Sequence, residues 1–396
     1  MSAWEKVRTG ANDALDIPLQ SVTDDDGSHH FTLERNDRHD YREAIKTGDR
    51  VRNLALAYFV TGEDRYAEKA IDQIHHWFLD ENAYQYPTGS GDFGVEQYIT
   101  IPKFLMGAAL LRGHSYWDSK SATMPWNGEQ ASTAEDALAA WAVTWANSLT
   151  EPNHNNIWVW LAVAEASAAA YAGDDTLFQS AVDRYKSDPA WNDYNDDGSF
   201  QAELNRENGY RYQLFRMKAH ATFCELARHR GVDLYSYNGL KRSFDWMAHY
   251  VMHPEDWEWG TGSLDWDRTH EAPGAYELAH SIWGESAYRD VIDVDGRPVD
   301  DGRLLQWITF SHGDLFALPT DTILLPHAVT IDGTGSTSSY RIEVSEEAVK
   351  VTGDSNDTVS GTTIEGSVTD EQDVYEFAGI VTEMAVDGTV AVTFDS

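Results

Sequence analysis

VRNLALAYFVTGEDRYAEKAIDQIHHWF, residues 51–78, holds two runs with apolar residues three and four positions apart, separated by Thr61-Gly62-Glu63. That spacing puts the apolar side chains of each run on one helical face, and a glycine-bearing turn between such runs predicts a helix hairpin. Similar segments follow near 97–112, 132–149, 156–172, 175–187, 209–230, 238–252 and 275–290. Short turns rich in Gly, Asp and Asn, such as YAGDDTLF and ARHRGVDLY, separate them. Helix hairpins repeated every 35–50 residues or so predict a helical array or a closed α/α toroid rather than a βαβ fold.

The pattern changes after residue 326. From Thr330 onward there is no tryptophan, and SYRIEVS, DVYEFAG and TVAVTFD alternate apolar with polar residues as half-buried strands do. Turn-rich pieces such as TGDSNDTVSG join them. The expected organisation is mainly α: an N-terminal segment able to act as a lid over 1–40, an α/α toroid over 41–326, and a small all-β C-terminal domain over 327–396. Residues 331–396 carry fourteen acidic and two basic residues and no histidine, so chemistry is expected in the helical part.

The 396-residue chain has 66 acidic residues against 29 basic ones, a formal net charge of −37, and only nine of the basic residues are lysine. An acidic excess with few lysines resembles proteins of extreme halophiles. Near molar salt the screening length falls to about 3 Å, and self-repulsion is largely switched off. The charge argues against nucleic acid as a partner. No apolar run reaches the roughly 18 residues of a spanning helix, so membrane insertion is not expected. The single cysteine, Cys224, excludes an internal disulfide, and its apolar surroundings HATFCELA read as core. The start, MSAWEKVRTGAND, lacks the apolar centre of a signal peptide. Either the protein is not exported by that route or an export signal is not part of this sequence.

Two stretches concentrate polar side chains where helices begin. EPNHNNIWVW, 151–160, sets Asn153, His154, Asn155 and Asn156 directly before an apolar run that includes Trp158. DGSFQAELNRENGYRYQLFRMKAHATFCELARHRGVDLY, 197–235, is a turn leading into a long helix, with Glu203, Arg206, Tyr210 and Tyr212 near its start. The plain reading of Asn153 or Asn155 is an N-cap, and that of Arg206 is an i,i+3 bridge to Glu203.

Taken together and in this order, about fifty residues apart, the two stretches resemble the alginate lyase family, the poly-mannuronate lyases. RVRNLALAYFVTGEDRYAEKAIDQIHHWFLDE, 50–81, is similar to that family's opening hairpin, and the resemblance covers residues 40–255. It implies an α/α toroid whose open groove cleaves uronate polymers by β-elimination, with no metal and no other cofactor. By the same analogy Asn153 and Arg206 neutralise the substrate carboxylate while His154 and Tyr212 handle protons, and Asn155, Asn156, Trp158, Glu203 and Tyr210 are expected as substrate-binding residues beside them. The chemistry needs such a set. The C5 proton of a uronate is too weakly acidic to remove unless donors stabilise the charge that develops on the adjacent carboxylate. A base then takes that proton and an acid serves the departing O4 oxygen.

Two points stay open. The order Asn153-His154-Asn155-Asn156 does not say which asparagine faces the carboxylate. Arg206 and Tyr212 lie six residues apart, about 600° on a continuous helix, so they meet only if Arg206 precedes the helix proper. Otherwise Tyr210 shares the Arg206 face.

HHFTLERNDRHDYREAIKTGDRVR, 29–52, gathers six Arg/Lys and three His in an acidic chain. It reads either as a solvated face or as a basic cleft wall gripping a polyanion through Arg35, Arg38, Tyr41 and Arg42. DYNDDG, 193–198, matches the first half of a calcium loop, but Leu204 stands where a glutamate is required, so it reads as a turn. His75, His76 and His280 sit in helical runs as structural histidines, with His280 able to line the groove. Fifteen tryptophans and nineteen tyrosines suit a sugar-binding cleft.

The function read is a polysaccharide lyase acting on an acidic, uronate-containing polymer. The C-terminal segment resembles acidic β modules at the ends of exported haloarchaeal proteins, which implies an extracellular or cell-surface setting. Two other classes compete. An α/α-toroid glycoside hydrolase needs two opposed carboxylates, such as Glu203 and Asp265; a non-catalytic glycan-binding or virion-surface protein needs only the fold and its aromatics. Oligomeric state is not legible.

Overall fold

Helix follows helix through the first unit of the chain, Met1–Asp314. The elements are α1 (Ala3–Leu15), α2 (His39–Thr61), α3 (Asp64–Phe78), α4 (Gly94–Tyr98), α5 (Ile101–Ala109), α6 (Ala134–Ser148), α7 (Asn156–Ala172), α8 (Asp175–Ser187), α9 (Gln201–Leu204), α10 (Gly209–His229), α11 (Leu240–Met252), α12 (Pro273–Trp283), α13 (Ser286–Ile292) and α14 (Thr309–His312). The computed structural model describes residues 2–24, 27–31, 39–84, 94–149, 155–187, 194–236, 239–259, 268–299, 304–305, 308–313, 327–345, 348–354, 356–377 and 381–395.

Helix α7, NIWVWLAVAEASAAAYA, is apolar on every side, and only Ile157, Ala170 and Ala172 escape full burial. A helix with no polar face is stable only when other elements surround it. Here α5, α6, α8 and α10 pack around it, and its many alanines let those backbones come close. The Asn155 side chain caps its start by accepting the Ile157 N–H at 2.9 Å, and Gly173 closes it in the left-handed conformation at φ 74°.

The hairpin read from residues 51–78 is α2 and α3, packed antiparallel neighbours whose buried faces include Val51, Leu54, Ile71, Ile74, Trp77 and Phe78. Two segments expected as single helices are divided. The 97–112 segment lies in α4 and α5, which meet at Ile99 and Thr100, and 275–290 lies in α12 and α13, separated by Gly284 at φ 66°. Helix α1 was not expected from the pattern, because AWEKVRTGANDAL offers only Val7, Ala11 and Ala14 as buried apolar residues. It forms through a capping box between Ser2 and Glu5 and packs on α2.

The second unit, Leu315–Ser396, is all β. Its strands are β1 (His327–Gly333), β2 (Ser338–Val344), β3 (Ala348–Thr352), β4 (Thr358–Ser360), β5 (Thr363–Val368), β6 (Gln372–Phe377), β7 (Val381–Asp387) and β8 (Val390–Asp395). They make two four-stranded antiparallel sheets, ordered β3-β6-β1-β8 and β4-β5-β2-β7. Alternate residues of β2, Tyr340, Ile342 and Val344, face one core shared with Val329, Ile331, Ile364, Tyr375 and Phe377. The three alternating runs read from the sequence are β2, β6 and β8.

The packing around α7 sets the stability expectations. Trp160→Ala removes a fully buried indole and should cost about 3–5 kcal/mol, while Ala166→Leu overfills the same core and should cost about 1–3 kcal/mol. Phe59, 65% exposed on α2, should tolerate Ser within about 0.5 kcal/mol. Denaturant unfolding in molar salt reads all three.

Candidate active site

The two polar stretches meet at the Glu203 carboxylate. Glu203 on α9 is 0% exposed and must find partners inside the protein. Its Oε1 accepts the backbone N–H of Asn156 at 2.6 Å, the Asn156 amide donates to both its oxygens at 3.1 and 3.2 Å, and Arg206 Nη1 donates to Oε2 at 3.1 Å. The first turn of α7 is therefore stapled to the segment that enters α10. A carboxylate at a helix N-terminus also meets the positive end of the helix dipole.

Arg206 lies between α9 and α10, not on the long helix. The link folds back tightly: Arg206 N–H donates to the Glu203 carbonyl at 3.1 Å and Gly209 N–H to the Arg206 carbonyl at 3.0 Å. A Cβ on Gly209 would lie 2.9 Å from the Leu204 carbonyl oxygen, so only glycine permits this approach. The fold-back brings the guanidinium carbon of Arg206 to 3.3 Å from the centre of the Tyr212 ring. The condition for Arg206 and Tyr212 to meet is thus satisfied. Both side chains are partly exposed, and no described residue is hydrogen-bonded to the Tyr212 hydroxyl.

Other residues singled out in the sequence take different places. Tyr210 is 1% exposed, donates its hydroxyl to the Tyr250 carbonyl at 3.3 Å and meets Trp257 edge-on, so it is core and not a groove residue. Its position facing inward follows from α10 beginning at Gly209, which turns Tyr212 outward instead. Asn156 and Trp158 are also buried, at 1% and 5% exposure, and Asn155 is the helix cap. Tyr41 is half-buried against the core at the start of α2, beside the exposed Arg42. Asn153, His154, Arg35, Arg38 and Asp265 lie outside the described residues.

Two supports were not singled out as such. Gln213 clamps the approach to α9 by accepting the Phe200 N–H at 3.0 Å and donating to the Phe200 carbonyl at 2.8 Å. Glu271 takes Lys218 at 2.8 Å and Arg211 at 3.3 Å, fixing the face of α10 next to Tyr212. The available signal was two of the chain's few basic residues one helical repeat apart.

The remaining candidates are structural. Cys224 is buried, and burial pushes its thiol up to about 12. His75 bonds the Ser121 carbonyl, His76 bonds Asp80 at 2.8 Å, and His280 bonds the Glu285 carbonyl at 3.1 Å. Residues 195–199 form a hydrogen-bonded turn in which Asp197 accepts from Ser199 N–H and Oγ–H. Glu225, His229 and His312 offer three metal-ligand atoms within 4.8 Å of one another. That carboxylate, however, already receives both Arg228 Nε at 3.0 Å and Nη2 at 2.6 Å. Burial alone would raise it, but the bonds from His312 and Arg228 hold it well below the usual range, as expected of an ion-paired group.

A family model described as Alginate lyase matches residues 6–257. No curated protein matches the chain. Among solved structures, an alginate lyase from Bacteroides ovatus has a TM-score of 0.62 at 17% identity, covering 76% of this chain and 91% of that one. Alginate lyase A1-III from Sphingomonas species A1 has a TM-score of 0.54 at 17% identity, covering 78% and 95%. A histidine-to-alanine variant of alginate lyase A1-III complexed with a tetrasaccharide has 0.55 at 19% identity, covering 77% and 94%. With more than half of its length matched to the family model and an α/α toroid shared with these structures, the chain belongs to the alginate lyase family of polysaccharide lyases.

Proposed function

We propose that this polysaccharide lyase cleaves an alginate-like uronate polymer at a site formed by Asn153, His154, Arg206 and Tyr212. The observation that carries the reading is the shared Glu203 carboxylate, which ties the α7 start to Arg206 while Arg206 stands over the Tyr212 ring. Arginine has five N–H donors, and the bond to Glu203 fixes the fork while leaving donors for a substrate carboxylate. Asn156 commits its amide N–H groups to Glu203, while Asn155 uses only its carbonyl oxygen in the cap and keeps its NH2 as a donor. Asn153, adjoining His154, is assigned to the carboxylate by the family analogy, with Asn155 as the alternative donor. His154, next in sequence, and Tyr212 divide the proton work: one takes the C5 proton, the C4–C5 double bond forms, and the other protonates the departing O4 oxygen.

The hydrolase reading loses support because Glu203 is buried and already bonded to Asn156 and Arg206, leaving it unsuited to act as one of two opposed carboxylates. Arg35, Arg38, Tyr41 and Arg42 are assigned to a basic wall for the polyanion. The net charge of −37 supports a high-salt setting, and the resemblance of the acidic β unit to modules at the ends of exported proteins supports an extracellular or cell-surface one.

The deciding measurement is ultraviolet absorbance of unsaturated uronate released from a panel of polyuronates in molar salt. Reducing ends without absorbance indicate hydrolysis, and binding without cleavage indicates a lectin; either outcome overturns the proposal. His154→Ala and Tyr212→Phe should each lower kcat by about 10²–10⁴-fold. Tyr210→Phe should keep the rate and lose only about 1 kcal/mol of stability. Glu203→Gln removes the charge that orients Arg206 and sets an amide NH2 against donors of Asn156 or Arg206, so it should cost about 10²-fold in kcat/KM and also about 1–3 kcal/mol of stability.

A further inference from the structure

Two carboxylates of the β unit are buried without the counter-charge that four buried glutamates of the helical unit receive. Glu165, Glu203, Glu271 and Glu277 each hold an arginine or lysine at 2.7 to 3.3 Å. Asp357, just before β4, and Asp373, on β6, are 5% and 0% exposed, and no described cation is at ion-pair distance from either. Lys350 is directed instead to the backbone carbonyls of Asp354 and Asp357, at 2.7 and 3.0 Å.

One oxygen of each carboxylate is satisfied. Asp357 Oδ1 accepts the Ser367 N–H at 3.1 Å, and Asp373 Oδ2 accepts the Tyr340 hydroxyl at 2.7 Å. The other two, Asp357 Oδ2 and Asp373 Oδ1, are buried with no protein donor among the described residues. They converge. A Cβ on Gly353 would sit 2.7 Å from Asp357 Oδ2 and 3.0 Å from Asp373 Oδ1, and this residue has φ +142° and no side chain to part them. Burial raises the Asp373 carboxyl; the Tyr340 bond opposes this, and the charges of Asp357, Glu371 and Asp354 add to it.

Two converging carboxylate oxygens without donors are costly unless a cation or proton lies between them. The donors are both hard carboxylate oxygens, one from the β3–β4 connection and one from β6, the chemistry that suits calcium rather than a transition metal. We propose that Asp357 Oδ2 and Asp373 Oδ1 bind a calcium ion beside Gly353, tying the loop between β3 and β4 to β6. The ion would stabilise the β unit and is independent of the lyase reading, since neither aspartate belongs to that site.

The test uses the full chain, stripped with chelator, and terbium as a luminescent stand-in for calcium sensitised through the neighbouring tyrosines. Expected is emission that saturates near one equivalent, is displaced by calcium but not by equal magnesium, and is weakened more than about tenfold in affinity by Asp373→Asn or Asp357→Asn. Calcium should also raise the unfolding midpoint of the wild type and not of these variants. Emission identical in wild type and variants, or without saturation, marks binding to the acidic surface only and overturns the proposal. So does an Asp373→Asn protein that is more stable than calcium-free wild type while calcium leaves the wild type unchanged, the signature of a shared proton. Should the variants fail to fold, the wild-type stoichiometry and the calcium-over-magnesium displacement decide.

Discussion

A carboxylate removed from water has to be satisfied by the protein, and Glu203 shows what that requirement builds. Its partners come from two elements far apart in sequence: the backbone and amide of Asn156 at the head of α7, and the guanidinium of Arg206 in the link to α10. Losing either partner would leave buried charge uncompensated, so the two polar stretches are held in one relation. The relation between the α7 start and Arg206 thus rests on one buried carboxylate.

Helix α7 supplies the rigid side of that arrangement. Having no polar face, it is surrounded by α5, α6, α8 and α10, and its N-terminus is fixed by the packing of the whole unit. The other side is a tight turn made possible by Gly209, which halts the chain before α10 and swings Arg206 back over Tyr212. Buried carboxylates recur in both units, but they are answered differently. In the helical unit arginine or lysine answers Glu165, Glu203, Glu271 and Glu277, and that unit holds most of the chain's scarce basic residues. The β unit has only Arg341 and Lys350 from residue 331 onward, and neither forms an ion pair with the carboxylates of its buried aspartates.

Much of the architecture was legible because helices and strands leave different periods in the sequence. The α2–α3 hairpin and the alternating strands β2, β6 and β8 carry those periods openly. Helix α1 did not, because a short helix with three small buried contacts and an internal Gly10 looks like polar linker until its Ser2–Glu5 capping box and its seat on α2 are seen. In the same way 275–290 reads as one helix, since a left-handed glycine at 284 interrupts the backbone without interrupting the apolar pattern.

For the site, the resemblance of two short stretches to the alginate lyase family gathered Asn153, His154, Arg206 and Tyr212 as candidates and implied the reaction class they suit. The sequence also determined the acidic surface, the two-part organisation and the family resemblance, because these depend on composition, periodicity and local motif. Only the tertiary structure decided that Arg206 precedes its helix and meets Tyr212, that Tyr210 faces the core, and that Asn155 and Asn156 are occupied as cap and as Glu203 partner. Those outcomes turn on where one helix starts and on which buried charge needs a partner from elsewhere in the chain, and neither is written in the spacing of residues along it.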